Sequence, residues 1–179
     1  GNNNKYLLTC CINNPFFQPE QMKGVIDQTL EGKHYNNINF LPVLAKNSEV
    51  NEFLNSIDID LTGLSGGEGW NLPAFNATCL GKWSVVLNWT SHKDWATNKN
   101  SILINPSGEM PTEDGVFFQK GQPFNQGNFY TWTEEEAIWA MEEAEQKAGQ
   151  INTEGVKLGD KMTYSNTVDS ILSLIFKDN

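Results

Sequence analysis

The sequence contains no arginine. All 12 of its basic residues are lysines, against 22 Asp and Glu, so the formal net charge is −10. A nucleic-acid binder needs a basic stripe that displaces counterions, and a protein of anionic membranes needs a polybasic patch. Neither is available here, so any phosphate site must be local: backbone amides, a helix N-terminus and one or two lysines. Long apolar runs are also missing. Tyr6–Ile12 falls short of the roughly 20 residues of a membrane span, and the polar Gly1-Asn2-Asn3-Asn4 start gives no signal-peptide pattern, so a cytoplasmic protein is expected. The three cysteines, Cys10, Cys11 and Cys79, have no metal-ligand spacing and cannot all pair. They fit a reducing compartment and read as small buried hydrophobes.

What is present is a globular composition, with 39% hydrophobic and 19% charged residues in 179. That length predicts a single domain over 2–179, with a core at about 5–106, a loop at 107–131 and helices over 132–177. The first part alternates strand and helix signals. Tyr6–Ile12 reads as a strand followed by an Asn13-Asn14-Pro15 loop. Gln18-Pro19-Glu20 opens a helix running to about Leu30, with proline suited to a first turn. Ile38–Leu41 reads as a strand. Ser48 caps a helix through about Leu54, and Asp58–Leu61 reads as a third strand. A glycine-rich loop, Gly63–Gly69, precedes a short helix over Leu72–Leu80 that Gly81 closes. Trp83–Leu87 is the clearest strand, Asp94–Ala96 a helical turn, and Ile102–Ile104 a last strand. Such alternation predicts an α/β fold: a Rossmann-like, mostly parallel sheet flanked by helices.

Pro106 to Asn128 shows little periodicity and reads as a long loop, with a hairpin around Val116–Phe118. Thr133-Glu134-Glu135-Glu136 has the pattern of a capping box, and Ala137, Ile138, Met141 and Ala144 continue at helical spacing to near Gly149. A final helix covers about Ser165 to Phe176, with Val168, Ile171, Leu172 and Ile175 on one face.

In open α/β sheets ligands bind at the carboxyl ends of strands, where the Gly63–Gly69 loop falls. Gly66, Gly67 and Gly69 let backbone approach a ligand closely, and the amides of Gly69 to Leu72 precede a new helix and suit a phosphate. Glu68 can accept hydrogen bonds from sugar hydroxyls there.

The segment Ser65-Gly66-Gly67-Glu68-Gly69-Trp70-Asn71-Leu72-Pro73, continuing through Ala77 and Gly81 to Val85-Val86, resembles the nucleotide-sugar-binding half of GT-B glycosyltransferases. The likeness is to the large group that includes glycogen synthases and bacterial mannosyltransferases. It extends to the Ile38–Leu41 strand, the Glu49–Leu54 helix, the Ile102-Leu103-Ile104-Asn105-Pro106 strand end and the Tyr164–Ile175 helix. The resemblance implies a nucleoside-diphosphate sugar as donor substrate, with retention of anomeric configuration, no metal and no resident cofactor. Glu68 would be the catalytic carboxylate holding donor-sugar hydroxyls. The amides of Trp70, Asn71 and Leu72 would hold the diphosphate or the sugar.

Departures from the family pattern are specific. The second carboxylate, which binds the ribose, is replaced by Asn76, an amide without charge. The family's arginine is absent. Gln21-Met22-Lys23-Gly24 resembles the family's Glu-x-Lys-Gly helix opening, which makes Lys23 the phosphate candidate, with His92 and Lys93 as alternative cation sources. The interval between that helix and Ile38 is short: either a strand–helix unit is deleted, or Tyr6–Ile12 is the family's second strand. Only the donor half is represented, so an N-terminal acceptor-binding domain or a partner chain is expected to complete an enzyme. The other reading is a non-catalytic nucleotide- or sugar-binding or assembly module. Trp70, Trp89 and Trp95 are candidates to line a sugar site. Asp58-Ile59-Asp60-Leu61-Thr62 resembles a dehalogenase-type phosphatase nucleophile motif, but no apolar strand precedes Asp58. The same stretch fails as a calcium loop, and Gly81-Lys82-Trp83 is no P-loop.

Overall fold

Parallel strand pairing with helices between the strands organises the chain, as the alternation of periodicities requires. The structure is a computed structural model and describes residues 5–12, 16–113, 115, 117–124 and 126–176. The described residues divide into two compact units, with the boundary after Glu52.

In the first unit, β1 (Leu8–Cys10) pairs in parallel with β2 (Ile38–Phe40), joined through α1 (Pro19–Thr29). Pro19 stands in the first turn of α1, and Gln18 and Gln21 close a capping box around it. The Asn13-Asn14-Pro15 loop signal lies outside the described residues. Helix α2 (Asn47–Ser56) spans the boundary. Its start is fixed by Glu49, whose carboxylate accepts from the amides of Ala45 and Lys46.

The second unit is built on three parallel strands in the order β3 (Ile59–Gly63), β4 (Trp83–Leu87), β5 (Ser101–Ile104). Strand β4 is central and buried almost throughout, and its side chains alternate between two cores. Val85 and Leu87, with Ile102 and Ile104 of β5, pack on Ala140 and Ala144. Val86 packs the other way, with Ala74, Trp95 and Ala96. The first core is covered by α4 (Glu134–Glu145), which starts at the Thr133–Glu136 capping box. The second is covered by α3 (Leu72–Cys79). Each fully buried aliphatic side chain stabilises the fold by about 1.5–3 kcal/mol.

Two expectations need correction. The 107–131 segment is not simply a loop: β6 (Gly108–Pro111) pairs antiparallel with β7 (Asn128–Thr131). The hairpin expected around Val116–Phe118 falls partly outside the described residues, at Val116; Phe117 and Phe118 lie in a bend. The helical turn expected at Asp94–Ala96 lies earlier, as a 3-10 turn over Thr90–Asp94. Helix α5 (Thr153–Lys161) was not anticipated. It packs so closely on α3 that a Cβ on Gly155 would lie 2.2 Å from the Thr78 carbonyl oxygen. Asn152, fully buried, caps α5 through Oδ1 and donates from Nδ2 to the carbonyls of Lys82 and Asn100. It thereby ties α5 to the chain entering β4 and β5. Helix α6 (Tyr164–Ile175) follows, and its apolar residues Val168, Ile171, Leu172 and Ile175 are exposed.

The cysteines also depart from expectation. Cys11 is exposed, and Cys10 and Cys79 are only half-buried; all three are free thiols.

The chain is thus an α/β protein with parallel sheets flanked by helices. No helix among the described residues is long and apolar enough to cross a membrane.

Candidate functional site

Two loops leave the carboxyl ends of the adjacent parallel strands β3 and β4. The first carries Gly66 to Asn71 into α3; the second is the Thr90–Asp94 turn. Carboxyl ends of neighbouring parallel strands are where an α/β sheet presents loops to a ligand.

The glycine-rich loop is held from outside by β7 and the residue after it. The Tyr130 amide donates to the Gly66 carbonyl at 3.0 Å, and the Trp132 indole donates to the Leu64 carbonyl at 2.8 Å. A Cβ on Gly66 would lie 1.8 Å from the Tyr130 carbonyl oxygen, and one on Gly67 2.4 Å from the Phe129 ring. These two glycines therefore admit β7. Gly69 differs: a Cβ there would meet open space. Glu68, between them, is half-buried.

Asn71 stands at the loop's end with φ +60° and caps α3, its Oδ1 accepting from the Ala74 amide while Nδ2 donates to the Thr62 carbonyl. Asparagine tolerates this left-handed conformation better than most residues. The capping has a chemical consequence. Pro73 has no amide hydrogen and the Ala74 amide is taken, so of these first-turn amides only that of Leu72 is left for an anion. The Leu72 side chain is exposed, as is Asn76 on the helix surface.

His92 is completely buried. One ring nitrogen, Nδ1, lies 2.8 Å from the Leu87 carbonyl oxygen. A carbonyl only accepts, so Nδ1 carries the proton. Burial pushes the imidazole below its ordinary range, and the Leu87 bond and the negative charge of Glu68 push it back by less. Starting from about 6.5, a lowered value means a neutral ring at pH 7. Nε2 is then a bare acceptor, and it is buried without a hydrogen-bond partner among the described residues. His92 is thus a hydrogen-bond acceptor at neutral pH rather than the cation source expected from its position.

The same turn carries two further irregularities. Thr90 has φ +50°, a conformation a β-branched residue adopts at a cost of about 1–3 kcal/mol. The Ser91 hydroxyl is buried and, like Nε2 of His92, has no partner among the described residues. Leaving such a group unsatisfied costs about 1–3 kcal/mol. Neither feature was legible in the sequence, because both depend on burial.

An aromatic wall adjoins these loops. The Trp95 indole donates to the Trp70 carbonyl at 3.1 Å, and Phe75 meets both Trp70 and Trp95 edge to face at 5.5 and 5.6 Å. Trp95 is buried in this packing, whereas Trp70 and Trp89 are half-buried. The Lys93 ammonium lies 3.7 Å from the centre of the Trp89 ring, which in turn packs on Tyr130. Lys23 belongs to the first unit, on the exposed side of α1, and pairs with Asp27 one turn on.

The structure therefore brings Glu68, His92 and Lys93 onto two neighbouring loops of one unit and puts Asn71 and Leu72 at the helix start beside them. Among the described residues no group of three His, Cys, Asp or Glu side chains is placed to hold a metal ion. No protein-family model matches this sequence, and no curated protein matches it significantly. Fold and site define an α/β protein of parallel sheets with a carboxylate and a neutral histidine at the strand ends.

Proposed function

We propose that the second unit binds the sugar of a nucleoside-diphosphate sugar, as the donor half of a glycosyltransferase, with Glu68 accepting from the sugar hydroxyls. The observation that carries this reading is topological: the loops after the adjacent parallel strands β3 and β4 carry Glu68 and His92, whose Nε2 is buried there without a hydrogen-bond partner among the described residues. The chain leaving β3 and the chain leaving β4 each carry a half-buried tryptophan, Trp70 and Trp89, and aromatic faces together with hydrogen-bond acceptors suit a hydroxylated ring. The Leu72 amide and the Lys93 ammonium supply the local anion contacts for a diphosphate. Transfer to an acceptor would need a second, acceptor-binding half, in this chain's own protein or in a partner.

A thermal-shift screen against UDP-, ADP- and GDP-sugars tests the proposal. A ligand that binds only the folded state raises the melting temperature by mass action. The expected result is a shift with one nucleotide sugar. No shift with any of them at millimolar concentration contradicts it.

The start of α3, capped by Asn71 and carrying Pro73 without an amide hydrogen, together with Asn76 in place of a second carboxylate, favours a second reading, a binding module without catalysis. Hydrolysis or transfer of the donor that is lost in Glu68→Gln would exclude the module; tight binding without turnover in the presence of the acceptor half would support it.

A further inference from the structure

Helix α6 is anchored at its start but covered by nothing. Thr163 Oγ1 accepts from the Asn166 amide, and the Asn166 side chain donates to the carbonyls of Asp160 and Lys161 at the end of α5. Beyond that anchor every residue of α6 is exposed. Tyr164, Val168, Ile171 and Ile175 recur at steps of four, three and four residues, which aligns them in one stripe, and Leu172 widens it. Their exposure runs from 43% at Leu172 to 95% at Tyr164. A helix of three turns is marginal in water unless such a stripe is covered, and monomers rarely leave a contiguous apolar patch of more than a few hundred Å² open. We propose that the α6 stripe pairs with the same stripe of a second copy of this chain.

Charge selects this occupant. The chain carries a net charge of −10, so most faces of two copies repel each other. Helix α6 is an exception. Asp169 is its only charged residue, and helical spacing puts it on the polar side with Asn166, Ser170 and Ser173. A symmetric dimer sets one patch against itself, which an uncharged apolar stripe tolerates and a charged one does not. Helix α4 supplies the contrast. It also exposes Ile138 and Trp139, but six of its 12 residues are glutamates, and two copies of that face would repel.

Other occupants fit less well. Helices that lie in an anionic bilayer surface carry lysine or arginine on the polar face, and α6 has neither. A partner recognised by charge would find a single carboxylate. The four-three-four stepping is that of a seam between two packed helices, with β-branched Val168 and Ile175 at alternate positions. Three turns give a small interface, about 1,000 Å² in total and the lower end of specific contacts, so association is expected in the micromolar range.

Analytical ultracentrifugation of the full chain, from about 1 to about 200 μM, reads the association directly. The expected result is a mass rising with concentration from 20.1 kDa toward twice that value. Ile171→Glu sets like charges in the middle of the seam and should weaken association about tenfold or more. Glutamate is a good helix former, so α6 itself persists, as far-UV circular dichroism checks. Ser173→Glu adds the same charge on the opposite side of the helix and should stay within about threefold of the unmodified chain.

A chain that keeps the monomer mass across that range overturns the proposal. Equal weakening by the two glutamate variants overturns it as well, since net charge rather than the stripe would then control association. A monomeric chain that sediments with phosphatidylserine vesicles would make the stripe a membrane contact and would also sink the dimer. None of these outcomes bears on Glu68, and a failure to bind nucleotide sugars leaves the dimer standing.

Discussion

The amide of Tyr130 donates to the carbonyl of Gly66 at 3.0 Å, so the loop that carries Glu68 is fastened to β7 by backbone alone. Glycine at 66 is required by that approach, because any Cβ would collide with the Tyr130 carbonyl. The loop's glycines thus divide into two kinds: Gly66 and Gly67 face β7, and Gly69 faces open space.

Gly66→Ala is expected to destabilise the protein by about 1–3 kcal/mol, the usual range for forcing a methyl group into a packed site. Gly69→Ala should change stability by less than about 1 kcal/mol. Urea unfolding of both variants checks the contrast; equal effects would mean that β7 does not hold the loop as described.

Asn152 serves three partners from one buried side chain. Asn152→Ala loses the cap of α5, worth about 1 kcal/mol, and leaves the carbonyls of Lys82 and Asn100 short of a donor, for a total of about 3 kcal/mol. Asn152→Asp keeps the cap acceptor and brings a buried charge against those two carbonyls. It should be no milder than alanine at pH 7. A milder effect, seen in thermal unfolding, would contradict the assigned side-chain orientation.

Asp60 is a buried carboxylate in β3, and burial pushes its pKa up against the hydrogen bonds from Thr62 and Ser84. With the folded value above the unfolded value of about 3.9, its contribution to stability is fully present below that pH. It is lost as pH rises through the folded value. Asp60→Asn removes the charge and keeps an oxygen for the Thr62 hydroxyl, which donates to Asp60 at 2.9 Å. The variant should therefore gain on the wild type as pH rises from 4 to 7. A stability difference constant across that range would show that Asp60 does not titrate differently on folding.

Burial raises the Cys79 thiol to about 11, while Cys11 is exposed. At pH 8 Cys79 holds on the order of one thiolate in a thousand. Iodoacetamide should therefore modify Cys11 well before Cys79, as read by peptide mass spectrometry. Equal rates would mean that the Cys79 thiol is as open to solvent as that of Cys11.

Much of the second unit was legible because its signals are local. Trp83–Leu87 is a fully apolar-centred strand, and Thr133–Glu136 is a capping box that declares its own helix start. The order strand, glycine loop, helix was enough to set Glu68 at a strand end. The rest depends on tertiary contacts. Gly108–Pro111 carries no alternating pattern and is a strand only because Asn128–Thr131 pairs with it. Thr153–Lys161 contains two glycines, which disfavour a helix. Gly155 is tolerated because the Thr78 carbonyl leaves no room for a side chain. The glycines of the loop read as ligand-binding, and two of them serve β7 instead. The state of His92 was beyond the sequence, since position suggested a cation and only burial makes it a neutral acceptor.

The most direct test of the account is a calorimetric comparison of one nucleotide sugar with its free nucleoside diphosphate, on the wild type and on Glu68→Gln. The account predicts that the wild type binds the nucleotide sugar more tightly and that Glu68→Gln loses that advantage, while affinity for the diphosphate stays within about twofold, less than half a kcal/mol. Equal affinity of the wild type for both ligands, or an advantage that survives in Glu68→Gln, would contradict the claim that Glu68 holds the donor sugar.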